Sequence, residues 1–310
     1  MSSENLGSSK NLLKGNLGGS WDALQGYQGN YVDSGIARNY GITKAAYSLR
    51  DIGAHGTRVC NIRRSSDNAS ADFSAIQLAS GAATDFVGSG NDGFVTIWYD
   101  QSGNGIHASN NDTDEQPKII ESGTYLASVK FDADTDASNH DVLETSSKVG
   151  NSTDFFVSYV IANKANQSSF AGVLGSRSGS SEGYVIGVAN DERPQIFIYG
   201  STAGGEASNS KMPSAAALGS SETVLITYQR DGQEVKGFDD GTERSSYTSR
   251  PMGTIDVDKL TIGAGGRIDT TVSAGLKGEL KEIVFYETDR TDDRAEIEKD
   301  IANYYGITLA

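Results

Sequence analysis

Val95-Thr96-Ile97-Trp98-Tyr99-Asp100-Gln101-Ser102-Gly103-Asn104-Gly105 is the stretch on which the fold turns. A β-branched and aromatic run ends abruptly in polar residues and glycines, the pattern of a buried strand feeding a fixed loop. Neighbouring side chains on a strand point to opposite faces, so Trp98 and Tyr99 pack on opposite sides. Asp100 and Asn104 can hydrogen-bond loop backbone, while Gly103 and Gly105 admit positive φ. The stretch therefore works as a folding element without any chemistry. Trp98 and Tyr99 are also the candidate rings for stacking on a sugar.

The same pattern of strands and turns extends in both directions. Strands are predicted at 57–64, 93–99, 117–120, 128–131 and 141–145, with turns at Ser65-Ser66-Asp67-Asn68 and Gly103-Asn104-Gly105. The pattern is clearest from 151 onward. Phe155-Phe156-Val157-Ser158-Tyr159-Val160-Ile161 reads as a buried strand, followed by runs at 173–174, 184–186 and 196–199. Val224–Tyr228 meets Gln233–Phe238 across Asp231-Gly232, a strong hairpin signal. Runs at 260–263 and 280–286 complete the set. Evenly spaced strands joined by turns predict a β-sandwich. A helix is predicted over 291–304, with Thr291 as N-cap, Asp292 and Asp293 in the first turn, and Gly306 as the stop. Ile297, Ile301 and Tyr304 share the face expected to pack on the sandwich. Ile36–Thr43 echoes Ile301–Thr308, a repeat too short to make a solenoid.

Composition narrows the function classes. The 310 residues include 37 Gly and 4 Pro, which suits many short strands and tight turns within one large β domain or two smaller ones. The net charge of −15 argues against nucleic acid as a partner, since phosphate binding needs a basic surface. No apolar run is long enough to span a bilayer, so membrane insertion is not expected. A single cysteine, Cys60, allows no intrachain disulfide and reads as a small core residue. Met1-Ser2-Ser3-Glu4-Asn5 has neither a basic nor an apolar leader region, which predicts folding in a cytoplasm without a signal peptide.

Residues 1–44 are read as an extended N-terminal arm ahead of a sandwich at 45–310, whose sequence halves are 45–150 and 151–310. Over residues 1–40 the charges of Lys10, Lys14 and Arg38 cancel those of Glu4, Asp22 and Asp33, so the body carries the excess acid. The arm is rich in Gly, Ser and Asn, yet it carries Leu12, Leu13, Leu17, Trp21, Leu24, Tyr27 and Tyr31. A flexible linker has no use for such residues. They either pack on their own domain or dock on another subunit, and an extended arm gains much contact per residue at an ordering cost. Leu12, Leu13, Leu17, Trp21, Tyr27 and Tyr31 are the candidate docking residues.

Three words carry a family likeness. Tyr47-Ser48-Leu49-Arg50, then Val59 through Arg63-Arg64-Ser65-Ser66-Asp67-Asn68, then Trp98-Tyr99-Asp100-Gln101-Ser102-Gly103-Asn104-Gly105 resemble, in order and spacing, the catalytic domain of arabinofuranosidase B enzymes. Gly278–Tyr286 with the acidic helix and Tyr304-Tyr305-Gly306 resembles the end of laminin-G-like domains. The resemblance covers about 45–308. It implies an all-β, concanavalin-like jelly-roll sandwich with a short C-terminal helix. It is specific for fold and departs from the family in chemistry. Retaining glycosidases need two carboxylates about 5 Å apart. The family's nucleophile strand matches Gly183-Tyr184-Val185-Ile186, which has no carboxylate; Glu182 lies at its entrance. The family's acid/base Asp follows a Gly-Gly pair, whereas Gly265-Gly266 precedes Arg267, with Asp269 two residues later. The chain is therefore not expected to be an enzyme.

Other chemistry is sparse. Asp132, Asp134 and Asp136 alternate as calcium-loop ligands do, but Ala137 stands where an EF-hand needs Gly and Leu143 where it needs Glu, so a solvated acidic loop competes with a looser calcium site. Calcium is the only cofactor the sequence suggests. His55, His107 and His140 show no zinc pairing, and there is no nucleophile elbow or P-loop.

The Trp98–Asn104 word also resembles segments of phage and marine bacterial structural or adhesion proteins. With the neutral arm and the missing catalytic pair, that resemblance implies a non-catalytic virion structural protein of a bacteriophage, on the particle exterior as capsid decoration or as a fibre or tail-associated subunit. Its expected partners are the major capsid protein or tail subunits, with weak binding to host surface glycans, and it is expected in multiple copies or as a homo-oligomer. A carbohydrate-binding module or lectin is the alternative. An arabinofuranosidase-like hydrolase using Glu182 and Asp269 is the second.

Overall fold

A computed structural model describes residues 43–53, 58–133, 140–147, 149, 154–163, 169–176, 183–199, 207–211, 218, 222–249, 259–265, 267–268, 271–272 and 274–310. All belong to one compact unit, Ser34–Ala310. The predicted docking residues Leu12, Leu13, Leu17, Trp21, Tyr27 and Tyr31 lie outside the described residues, as do Asp134, Asp136, Glu182 and Asp269.

The described chain is an antiparallel β-sandwich. One layer runs, by pairing, β16 (Thr242–Thr248), β15 (Glu234–Asp239), β14 (Thr223–Asp231), β9 (Phe155–Ala162), β20 (Gly278–Tyr286) and β1 (Ala45–Ser48). The other runs β3 (Ser70–Phe73), β2 (Cys60–Arg64), β4 (Gly93–Trp98), β5 (Ala108–Ser109), β8 (Leu143–Thr145), β17 (Thr261–Ile262), β10 (Ala171–Ser176), β11 (Gly183–Val188), β12 (Pro194–Tyr199) and β13 (Ala207–Lys211). Between them, β6 (Lys118–Glu121) pairs with β4, and β7 (Thr124–Phe131) pairs with both β6 and the start of β20, while β18 (Arg267–Ile268) and β19 (Thr271–Val272) pair only with each other as a separate ribbon.

Ring contacts prove that the layers face each other. Phe155 of β9 and Phe285 of β20 both stack on Tyr184 of β11, with centroids 5.1 and 6.1 Å away. Strand β11 is remote from β9 and β20 in the pairing order, so these contacts cross the sandwich. Trp98 of β4 likewise meets Tyr47 of β1 at 5.9 Å. Burying each such side chain contributes about 1.5–3 kcal/mol.

The first layer is covered on its outer side too. Phe156, Val160, Leu225, Val284 and Tyr286 pack there against Ile297 and Ile301 of the C-terminal helix, Arg294–Tyr305. That second cover explains why all eight residues of β9 are buried and why its sequence is continuously apolar rather than alternating. The helix begins three residues later than its acidic turn predicts. Thr291 is not the cap: its hydroxyl donates to Asp289 at 2.7 Å and accepts from Gln229 Nε2 at 2.9 Å. Asp293 holds the N-cap position without a side-chain cap bond. Tyr304, predicted to pack, is 45% exposed, and Tyr305 packs in its place. Gly306 ends the helix at φ 68°, as expected.

The family words meet in this scaffold as clasps. Arg50 makes a two-pronged ion pair with the fully buried Glu282, at 2.7 and 2.8 Å, and reaches Asp300 of the helix at 2.9 Å. Ser48 and Tyr305 donate hydroxyls to the same Glu282 oxygen at 2.8 and 3.1 Å, and Arg50 lies over the Tyr304 ring. Burial works against the Arg50 charge, but Glu282 and Asp300 outweigh it and hold its guanidinium well above the usual range. Arg63 donates to Gln116, Asn68 and the Thr113 carbonyl, tying β2 to two loops. Cys60 is buried in the core, and burial pushes its thiol up, as expected of an inert packing residue.

Candidate functional site

The polar side chains of the loop after Trp98 bond back to the chain's own backbone. Asp100 Oδ1 accepts the Ala46 and Ser102 amides at 2.9 Å each, and Oδ2 accepts the Ile106 amide at 3.0 Å and the Ser102 hydroxyl at 2.8 Å. Gln101 accepts from Ile52 N and donates to the Ser48 and Arg50 carbonyls. Asn104 donates to the Thr43 and Lys44 carbonyls. Trp98 is fully buried, and Tyr99 is 7% exposed under the Arg58 guanidinium, with its hydroxyl bonded to Asp72. Neither candidate ring offers a free face to a sugar, because both are spent on the core and its rim.

The second layer places other residues on its outer side. Directly paired residues of antiparallel strands share a face. The registers Ser109↔Glu144, Glu144↔Thr261, Thr261↔Gly175, Gly175↔Val185 and Val185↔Phe197 therefore trace one row across six strands. The middle of this row, Thr261 and Val185, is buried. Its two flanks are not.

One flank is aromatic. Phe197 and Tyr199, two residues apart on β12, project to the same side with ring centroids 6.3 Å apart, and Phe170 packs edge-on to Phe197 at 5.0 Å. All three are half-buried. Gly187 makes room for this cluster: a Cβ there would sit 2.5 Å from the Phe170 ring tip and 2.1 Å from the Ala171 carbonyl oxygen. The other flank is a polar cleft of about 380 Å³ whose lining includes Asn110, Asp112, Glu115, Glu144 and Lys259. Lys259 approaches Glu144 at 3.5 Å, and Asn110 holds the cleft wall through the Val142 carbonyl at 2.9 Å and the Glu115 carboxylate at 3.2 Å. Four strand steps separate Phe197 from Glu144, roughly 19 Å.

The strand matching the family's nucleophile strand, β11, is buried throughout and carries no carboxylate. Of the calcium candidates, only Asp132 is described. It is exposed, pairs with Lys277 at 3.6 Å, and donates its amide to Asp141 at 2.7 Å. Among the described residues, no three His, Cys, Asp or Glu side chains are grouped to hold a metal ion. Asp141, which accepts the Asp132 amide, is a perturbed carboxyl. Burial, reinforced by Asp132 and Glu115 and opposed by the Asp132 amide and Lys118, pushes it up to about 7.

Solved structures resemble this sandwich. A mutant GH54 α-L-arabinofuranosidase soaked with 4-nitrophenyl α-L-arabinofuranoside superposes with a TM-score of 0.57 at 16% identity, over 84% of this chain and 63% of that one. The binding domain of Paraclostridial mosquitocidal protein 1 gives 0.50 at 13% identity, over 67% of this chain and 50% of that one. The CBM40 of a Ruminococcus gnavus IT-sialidase, bound to α2,3 sialyllactose, matches over 49% of this chain and 84% of its own, with 0.41 at 15% identity. This chain thus spans just under two thirds of the arabinofuranosidase. At these identities the likeness is one of fold, and the fold is concanavalin-like. No protein-family model matches the sequence, and no curated protein matches it significantly.

Proposed function

We propose that this chain is a non-catalytic glycan-binding β-sandwich that holds its ligand on the outer face of the ten-strand layer. The observation that carries the reading is the placement of the Phe170–Phe197–Tyr199 cluster and the Glu144 cleft on one sheet face. Aromatic rings and polar side chains on one face suit an oligosaccharide, whose units present apolar ring faces and hydroxyl edges. Partly exposed rings gathered in one patch are also what a ligand site needs and a bare surface does not. The absence of any carboxylate on β11 supports binding without turnover.

Isothermal titration with arabinoxylan and host-type oligosaccharides tests this. Phe197→Ala and Tyr199→Ala should each weaken binding about tenfold or more, with far-ultraviolet circular dichroism showing that each variant stays folded. Unchanged affinity in both variants would remove the reading. Turnover of 4-nitrophenyl α-L-arabinofuranoside, lost on Glu182→Gln or Asp269→Asn, would replace it with hydrolysis.

A further inference from the structure

We infer that the Asp100–Asn104 loop is an edge guard: it occupies the open side of β1 and so keeps the β1 strands of two copies of this chain from pairing. Among the described strands, β1 pairs only with β20, which makes it the last strand of its layer. An edge strand directs the N–H and C=O of every second residue away from its neighbour, and those groups are a template for another strand. Here the loop takes them. Ala46 donates its amide to Asp100 Oδ1 at 2.9 Å, and its carbonyl accepts the Gln101 amide at 2.8 Å. Two residues along, the Ser48 carbonyl accepts from Gln101 Nε2 at 2.9 Å. Two residues back, the Lys44 carbonyl accepts from Asn104 Nδ2 at 3.0 Å and from the Ser102 hydroxyl at 3.3 Å. Residues 44, 46 and 48 are the alternate positions that an added strand would use.

The loop fills those positions without becoming a strand itself. Of these five bonds, four run through loop side chains and one, from the Gln101 amide, through loop backbone. A ladder passes from strand to strand through backbone groups, so a partner bound mainly through side chains hands no continuing edge onward. Gly103 and Gly105 then turn the loop at φ 93° and 69°, outside the extended region. Asp100 and Gln101 are 8% and 2% exposed, so the loop is packed down on the strand it covers. With the loop lifted, β1 is self-matching. Two β1 strands laid antiparallel about a twofold axis present the same residues to each other, the contact of a closed dimer.

The test compares the full chain with its Gln101→Ala, Asn104→Ala double variant. Sedimentation equilibrium over about a hundredfold range of concentration reads self-association, and hydrogen exchange by mass spectrometry reads where copies meet. The double variant should self-associate at least tenfold more tightly than the parent chain. Exchange over residues 43–49 should slow in that variant as its concentration rises. Arg50→Ala loosens the same end but leaves the loop's bonds to β1 in place, so it should keep the parent's association. A folded double variant that associates no more than the parent, or that gains protection elsewhere than residues 43–49, would overturn the inference. Where the double variant does not fold, Asn104→Ala alone decides, since Asn104 is exposed and its loss frees part of the Lys44 carbonyl. It should raise association about threefold or more with the same protection, and no rise would overturn the inference equally.

Discussion

Asp100→Asn tests whether the Trp98–Gly105 word is a structural pin. The carboxylate accepts four hydrogen bonds, two at each oxygen. A carboxamide keeps one oxygen and sets an NH2 group where the other stood. The less costly orientation retains the Ala46 and Ser102 amides and turns the NH2 toward the Ile106 amide and the Ser102 hydroxyl. The hydroxyl can rotate to accept, but the Ile106 N–H cannot, and its bond to Asp100 is buried. Stranding one buried amide costs about 1–3 kcal/mol, and the remaining bonds lose their charge assistance, so the expected loss is about 2–4 kcal/mol. Urea unfolding, followed by far-ultraviolet circular dichroism and by fluorescence of the buried Trp98, should show a lower midpoint with an unchanged slope. Asp112→Asn, on an exposed loop, serves as the control and should cost under about 0.5 kcal/mol. A loss for Asp100→Asn no larger than that of the control would refute the pin.

Two further outcomes follow from the buried charges. Arg50→Ala and Glu282→Ala should each cost about 3–5 kcal/mol, because each leaves a buried charge short of its partner. The double variant should cost less than their sum by about 1–3 kcal/mol, and additivity within about 0.5 kcal/mol would show that the two do not act as a clasp. Asp141 predicts a pH dependence. Its carboxyl titrates at about 7 in the folded chain and near 3.9 when unfolded. Between those values the folded state holds the extra proton, so Asp141 makes stability fall as pH rises from about 4 to about 7, with no further loss above. Asp141→Asn should remove that part of the slope in melting temperature against pH. A variant that tracks the parent chain across this window would count against the assignment.

Much of the scaffold is written in the order of residues, and the parts that are not share a physical reason. Strands β9 and β20 are legible because both of their faces are buried, which leaves long apolar runs. The β14–β15 hairpin is legible because Asp231-Gly232 supplies the turn, with Gly232 at φ 56°. Strand β16, Thr242-Glu243-Arg244-Ser245-Ser246-Tyr247-Thr248, escapes notice because an edge strand needs little apolar surface and its backbone pairing leaves no mark on side-chain choice. The two short helices at Ala75–Ala79 and Ala82–Val87 escape because five or six residues cannot display a helical period. Their one signal is the capping box of Ser74 and Gln77, whose side chains each bond the other's backbone amide.

The division between words and site has a common cause. Tyr47–Arg50, Trp98–Gly105, Lys281–Glu282 and Tyr304–Tyr305 are far apart in the chain, yet they converge on one end of the first layer through Glu282, Asp100 and Gln101. A contact that joins residues distant in the chain, here 23 to 234 positions apart, fixes both partners' identities, because changing either strands a buried polar group. Such residues form recognisable words, and their role is closure. The outer face imposes no such constraint. Phe170, Phe197 and Tyr199 touch water, and Glu144 meets Lys259 only because β8 and β17 are adjacent. Their common placement emerges only when the registers of six strands are laid side by side. A scaffold held by inward-facing words leaves this outer face free to vary without disturbing the fold.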